Sequence, residues 1–283
     1  MKKYRKRKKT SSPKDNLKKI EKHIQENGAI LTIKTSEKYK TIDELFVQSQ
    51  PSSVYYTLLI LSIFIVTCGL LLQNAPIVIG GMLVTPVLTP ILVVSLAISV
   101  AELNALKNPL FLILRSTLII IGVSTIITLI FGMENLQHTF VNDLRTAILY
   151  FIVAVASGVA ATFAWVRKEV SDILPGVSIA VSLVPPLSLI GINLGILQFE
   201  SARFYLMIYL LNLFGIIAGS LIIFSLLKFK KSKVLVTQNV KAIEEIEKKR
   251  AAKIKAKKAM AKMDQVKKNI EETIAIEKEK TDD

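Results

Sequence analysis

Reactive side chains are scarce in this 283-residue chain. Cys68 is its single cysteine, so neither an intrachain disulfide nor a thiolate metal cluster can form. The two histidines, His23 and His138, have no partner at metal-ligand spacing. A P-loop, a G-x-S-x-G elbow and an H-E-x-x-H pair are all missing, and with them the commonest local signatures of nucleotide, acyl and metallopeptidase chemistry. The chain is therefore expected not to be an enzyme, and no cofactor or metal is expected. Charge is scarce too, but only in the middle. Residues 54–227 hold six Lys and Arg, against fourteen in residues 1–53 and seventeen in 228–283.

That segregation reconciles 51% hydrophobic with 21% charged residues, figures at odds in one soluble core because charged side chains are almost never fully buried. It predicts an integral membrane protein: a basic cytoplasmic tail over 1–53, a membrane domain over 54–227 and a basic helical tail over 228–283. The net charge of +15 is read as lysines that set orientation and meet anionic lipid. The tails lack zinc spacing and aromatic interleaving, which disfavours nucleic acid. MKKYRKRKKT resembles a signal n-region, but no apolar run follows before residue 54, so cleavage is not expected.

A spanning helix needs about 20 mainly apolar residues. Six segments qualify: 54–72, 76–101, 109–131, 146–166, 173–197 and 203–227. Lys107, Arg167 and Lys168 join both tails on one side, leaving Arg145 and Arg203 on the other; the positive-inside rule then places both termini in the cytoplasm. Residues 238–279 have strong helix composition, and Thr41-Ile42-Asp43-Glu44-Leu45-Phe46 reads as the start of a short amphipathic helix before Pro51.

Two spans carry prolines at corresponding places. An offset of 99 takes Pro76 to Pro175 and Pro86 to Pro185, carries the first span onto the fourth, and gives repeats at about 54–131 and 146–227. Three spans per repeat is an odd number, so the second copy enters from the opposite side. The expected fold is all-α, six spans in a 3+3 inverted repeat with broken second and fifth spans. Paired breaks of this kind point to a binding site near the midplane. Pro86 and Pro90 would free the carbonyls of Met82 and Pro86, and Pro185 and Pro186 those of Val181 and Ser182. Thr85, Thr89, Ser182 and Ser188 add hydroxyls. The other reading is of kinked packing helices whose carbonyls neighbours satisfy. No Asp or Glu lies near that depth, which disfavours a proton relay.

Arg115, Asn193 and Asn212 are further polar candidates: the first a snorkelling anchor in need of a partner or ligand, the others interhelical glue or ligand contacts. Gly191 with Gly195 and Gly215 with Gly219 are small-residue pairs for close helix packing, within the chain or in a homo-oligomer.

Gln48-Ser49-Gln50-Pro51-Ser52, Val78 to Pro86, Leu174 to Ala180, Leu183-Val184-Pro185-Pro186-Leu187 and Asn212 resemble the uncharacterised prokaryotic membrane family known as domain of unknown function 389. The resemblance runs from about Gln48 to Phe224, with Gly81 where the family pattern usually has alanine. It implies a multi-pass prokaryotic plasma-membrane protein, with no established substrate and no catalytic residues to carry over. The functional expectation is a transporter or channel for a small solute or ion. The alternative is a non-transporting scaffold or sensor whose basic tails bind lipid or a partner.

Overall fold

The structure, a computed structural model, describes residues 35–131, 144–167 and 183–246 and a few positions up to 263. Most of the N-terminal tail, the polar loop at 132–143, residues 168–182 (which include the start of the fifth predicted span) and most of the tail after 246 lie outside the described residues. Every regular element described is helical: α1 (Thr35–Gln48), α2 (Ser53–Leu71), α3 (Ala75–Val84), α4 (Leu88–Ser99), α5 (Lys107–Phe131), α6 (Leu144–Val166), α7 (Val184–Gly195) and α8 (Phe199–Leu226). A helix continues over 233–246.

Four stretches are long and apolar enough to cross a bilayer alone: Ser53–Leu71, Leu103–Phe131, Ala147–Val166 and Phe199–Leu226. The bent pair α3 and α4, which meet at 56°, makes a fifth only where the two halves form one broken span rather than a re-entrant loop. The chain is thus all-α with four to five membrane-compatible spans. Within the fifth predicted span, 173–197, the described part is α7, whose 12 residues rise about 18 Å, too little to cross alone.

Local chemistry explains the first turn-back. Ser52 caps α2 by accepting from the Tyr55 amide at 3.1 Å, the expected role of a serine ahead of an apolar run. Gln73, at φ 52°, ends that helix in the left-handed conformation, with Asn74 N donating back to Gly69 O at 2.8 Å. Asn74 then caps α3 through Ile77 N at 3.2 Å, and Pro76 sits in the first turn, where its missing N–H costs nothing. The hairpin closes because a Cβ at Gly69 would lie 2.8 Å from Val78 N, and one at Gly81 2.6 Å from Val66 Cγ2. A larger residue at either position would push α2 and α3 apart.

The two short helices after the prolines form the centre. In α4 every residue from Thr89 to Ala97 is buried, which suits a helix apolar all round. The same holds for most of α7, from Val184 to Asn193. By contrast α3 buries only Val78 and Gly81 and lies at the edge. The break between α3 and α4 is therefore where the chain passes from periphery to core.

The small-residue pairs act inside the chain. A Cβ at Gly191 would stand 2.5 Å from Ile121 O of α5, and one at Gly219 2.1 Å from Val155 O of α6. Backbones at that distance gain dispersion contacts that larger residues would prevent. These faces, the sequence-level ground for a homo-oligomer, are filled within one chain.

At one end of the bundle α1 lies across the core, with Ile42, Leu45 and Phe46 buried, so the amphipathic reading of 41–46 holds. Lys38 Nζ donates to Leu227 O at 2.6 Å just past α8. On the same end Asn239 reaches Asp43 at 2.9 Å, and Glu102, 8% exposed, accepts from Thr237 at 2.9 Å. The chain before α2 and after α8 thus meets at the end where α4 finishes.

Candidate functional site

The break occupies Thr85 to Val87. Thr85 is extended, with ψ 126°, as a residue before proline tends to be. Its amide donates to Met82 O at 3.2 Å. This corrects the expectation that Pro86 leaves the Met82 carbonyl free: one tight turn satisfies it before the proline is reached. The carbonyl serviced from elsewhere is Gly81 O, with Ser62 Oγ of α2 at 2.9 Å and Thr85 Oγ1 at 3.3 Å. The two hydroxyls also bond each other, so with one proton each, one donates to the carbonyl and the other to its neighbour. Ser62 is fully buried.

Pro90 needs a second correction. It is the third residue of α4, where a backbone N–H has no intrahelical partner in any case. Pro90 therefore starts a helix instead of breaking one and does not release the Pro86 carbonyl. Pro185 and Pro186 likewise fall in the first turn of α7, so the same physics applies. Val181 and Ser182 lie outside the described residues. Thr89 is buried in α4.

Ser188, one turn along α7, is fully buried, and its hydroxyl has no hydrogen-bond partner among the described residues. An unpaired buried hydroxyl costs about 1–3 kcal/mol; Thr41, Tyr56 and Ser99 share this state among the described residues, but other hydroxyls between the spans are matched. Thr67 meets Ser124 at 2.9 Å, Tyr55 meets Ser116 at 2.9 Å, Thr125 donates to Gly191 O at 2.9 Å, and Thr117 meets Tyr209 at 3.0 Å. These bonds radiate from α5 to α2, α7 and α8. They were not read from the sequence, although Ser116-Thr117 and Ser124-Thr125 recur two helical turns apart on one span. Nothing in the sequence marks Ser62, whose role depends on where α2 lies against the break.

The helix that ends at the first break touches the second proline-led helix, since α3 packs against α7. Asn193 does not bridge helices through its amide nitrogen: that group donates to Leu189 O of its own helix at 2.7 Å, a local bond in place of the expected interhelical one. Asn212 is buried on α8. Arg115 lies away from the break, at the α1 end of α5, over the ring of Tyr56 at 4.9 Å.

The two central half-helices correspond more closely than the sequence offset suggests. Each has 12 residues, each opens after an αR residue without a side-chain cap, and each closes on a left-handed non-glycine residue, Ala101 or Leu197. Leu88 and Val184 are 96 positions apart, as are Ala101 and Leu197. At that spacing Pro90 corresponds to Pro186, whereas the 99-residue offset pairs Pro86 with Pro185. The difference is about one helical turn.

Residues 82–218 match the family described as Domain of unknown function (DUF389). The matched stretch includes both proline groups and Asn212, and bears out the resemblance carried by those motifs. An uncharacterised protein of Methanocaldococcus jannaschii is 29% identical over 170 residues, 59% of this chain and 52% of that protein. The chain thus covers about half the length of that relative. No solved structure matches it.

Proposed function

We propose that this protein is a carrier or channel for a small solute or ion, with six spans in a 3+3 inverted repeat and its site beside the two proline-led half-helices. The reading is supported chiefly by Ser188, two residues beyond Pro186, a buried hydroxyl unpartnered among the described residues. The polar knot of Ser62, Thr85 and the Gly81 carbonyl at the matching break supports it too. Irregular backbone at membrane depth is stable only where protein covers it or it lines a cavity. Two such places on touching helices suit alternating access between halves. The cross-packing of α4 on α8 and of α7 on α5, each the second helix of one half against the third of the other, agrees with an inverted repeat.

In this proposal Thr85, Thr89, Ser188 and the backbone around Pro86 and Pro186 bind the solute, the positive-inside rule places both termini in the cytoplasm of a prokaryote, and no ATP is hydrolysed. Purified protein in liposomes, screened for flux of small ions and neutral solutes, tests it. Wild-type flux that falls at least tenfold in Ser188→Ala and in Thr85→Val, with melting temperatures within a few degrees of wild type, is the expected result. Flux indifferent to both variants would remove the site.

A second reading has its own observation. The bonds joining 233–246 to Glu102 and Asp43 tie the basic tail to the membrane bundle, as a sensor or scaffold with lipid- or partner-binding tails requires. Vesicles that show no flux, while the tail binds anionic lipid in a salt-sensitive way, would favour it.

A further inference from the structure

Arg115 is a permanent cation on a lipid-facing surface. It shares a helical face with Phe111, Leu114 and Leu118, exposed by 65%, 58% and 63%, residues that only hydrocarbon would accept in such number. No carboxylate among the described residues lies in salt-bridge range of it. Its partner among the described residues is the Tyr56 ring at 4.9 Å, and the guanidinium N–H groups meet no acceptor there. A shallow cleft between α2 and α5 collects Pro51, Tyr56, Asn108, Phe111, Leu112 and Arg115. The Tyr56 hydroxyl is also buried without a partner among the described residues.

Depth decides what can enter. Arg115 stands eight residues into α5, about 12 Å from its start, and Tyr56 about 5 Å into α2. Both helices start at the α1 end of the bundle, so the cleft opens at the boundary between headgroups and acyl chains. Its floor is apolar and its upper wall carries a cation, an amide and an aromatic ring, the combination that sits well at that boundary. A planar guanidinium matches two phosphate oxygens at once. We infer that the cleft between α2 and α5 at Arg115 and Tyr56 is a seat for the phosphate of an anionic phospholipid, with one acyl chain lying along Phe111, Leu114 and Leu118. This seat does not depend on whether the protein transports a solute.

The test uses the full chain in detergent micelles doped with phosphatidylglycerol or phosphatidylcholine, with bound lipid counted by native mass spectrometry. Salt at 1 M, where the Debye length is about 3 Å, suppresses loose association with the basic tails. Wild type is expected to retain one phosphatidylglycerol per chain in preference to phosphatidylcholine. Arg115→Gln should weaken retention at least tenfold, and Arg115→Lys, which keeps the charge but loses the fork, by a few-fold. Arg115 is exposed, so both variants should fold, and their melting temperatures in lipid-free detergent check this. Equal retention of the two lipids, or full retention by Arg115→Gln, would overturn the inference. Inorganic phosphate at millimolar concentration that displaces the lipid from wild type would also overturn it, by showing a site for the free anion.

Discussion

Adding the same methyl group at two glycines should move stability in opposite directions. At Gly219 a Cβ would lie 2.1 Å from Val155 O and 2.8 Å from Val159 N. A carbon–oxygen contact is comfortable at about 3.3 Å, so α6 and α8 would have to part by roughly 1 Å along a seam that also uses Gly158 and Gly215. Overpacking of this kind costs about 1–3 kcal/mol, more where backbone must move. With the gain of about 1 kcal/mol from replacing glycine in a helix, Gly219→Ala should be about 2 kcal/mol less stable than wild type. At Gly122, within α5, nothing lies within 4 Å of the added Cβ. The propensity gain is then unopposed, and Gly122→Ala should be about 1 kcal/mol more stable. Thermal melting in detergent, followed by the fluorescence of Trp165, which lies in α6, reads both. The expected result is Gly219→Ala melting several degrees below wild type and Gly122→Ala a few degrees above. Gly219→Ala melting at or above wild type would refute the close crossing of α6 and α8. Gly122→Ala melting early would mean that another molecule packs on that open face.

Other substitutions probe separate elements. Gly81→Ala, the residue usual in the resembled family, meets Val66 Cγ2 at 2.6 Å and Val66 N at 3.0 Å; a loss of about 1–2 kcal/mol in the same melt is expected, and no loss would show that α2 and α3 adjust freely. Ala101→Gly relieves a left-handed residue at φ 54° and should gain up to about 1 kcal/mol, a gain absent if that turn is differently built. Thr237→Val removes the 2.9 Å bond to Glu102 and should speed amide exchange in 233–246 several-fold while leaving α4 unchanged. In a Cys68→Ala background, cysteines at Asn74 and Gln198 should react with an impermeant reagent in intact cells, and cysteines at Leu103 and Lys233 only after permeabilisation; the opposite pattern would reverse the proposed orientation.

Some of the site was legible because proline and charge act locally. Pro86 interrupts an apolar run wherever that run is placed, and the break at Thr85 to Val87 is where the sequence puts it. The fate of the carbonyls was not legible. Met82 O is satisfied by a turn within its own segment, but Gly81 O is satisfied by Ser62, nineteen residues earlier on another helix. Pro90 and Pro186 read as breaks in sequence because each lies inside an apolar run. They prove to lie in the first turns of α4 and α7, and a proline's effect depends on whether its N–H had a partner to lose.

The amino-acid sequence by itself determined which segments prefer apolar surroundings, where basic residues gather, where a helix must stop, and that Ile42, Leu45 and Phe46 share a helical face. Those properties belong to single residues and their near neighbours. Only the tertiary structure decided that α4 and α7 are central while α3 is peripheral, because all three are comparably apolar and burial is a property of what packs around them. It also decided that the glycine faces close within one chain, that α5 carries several of the interhelical hydroxyl bonds, and that Ser188 has no partner among the described residues. Each of these depends on distances between segments far apart in the chain, which no local propensity encodes.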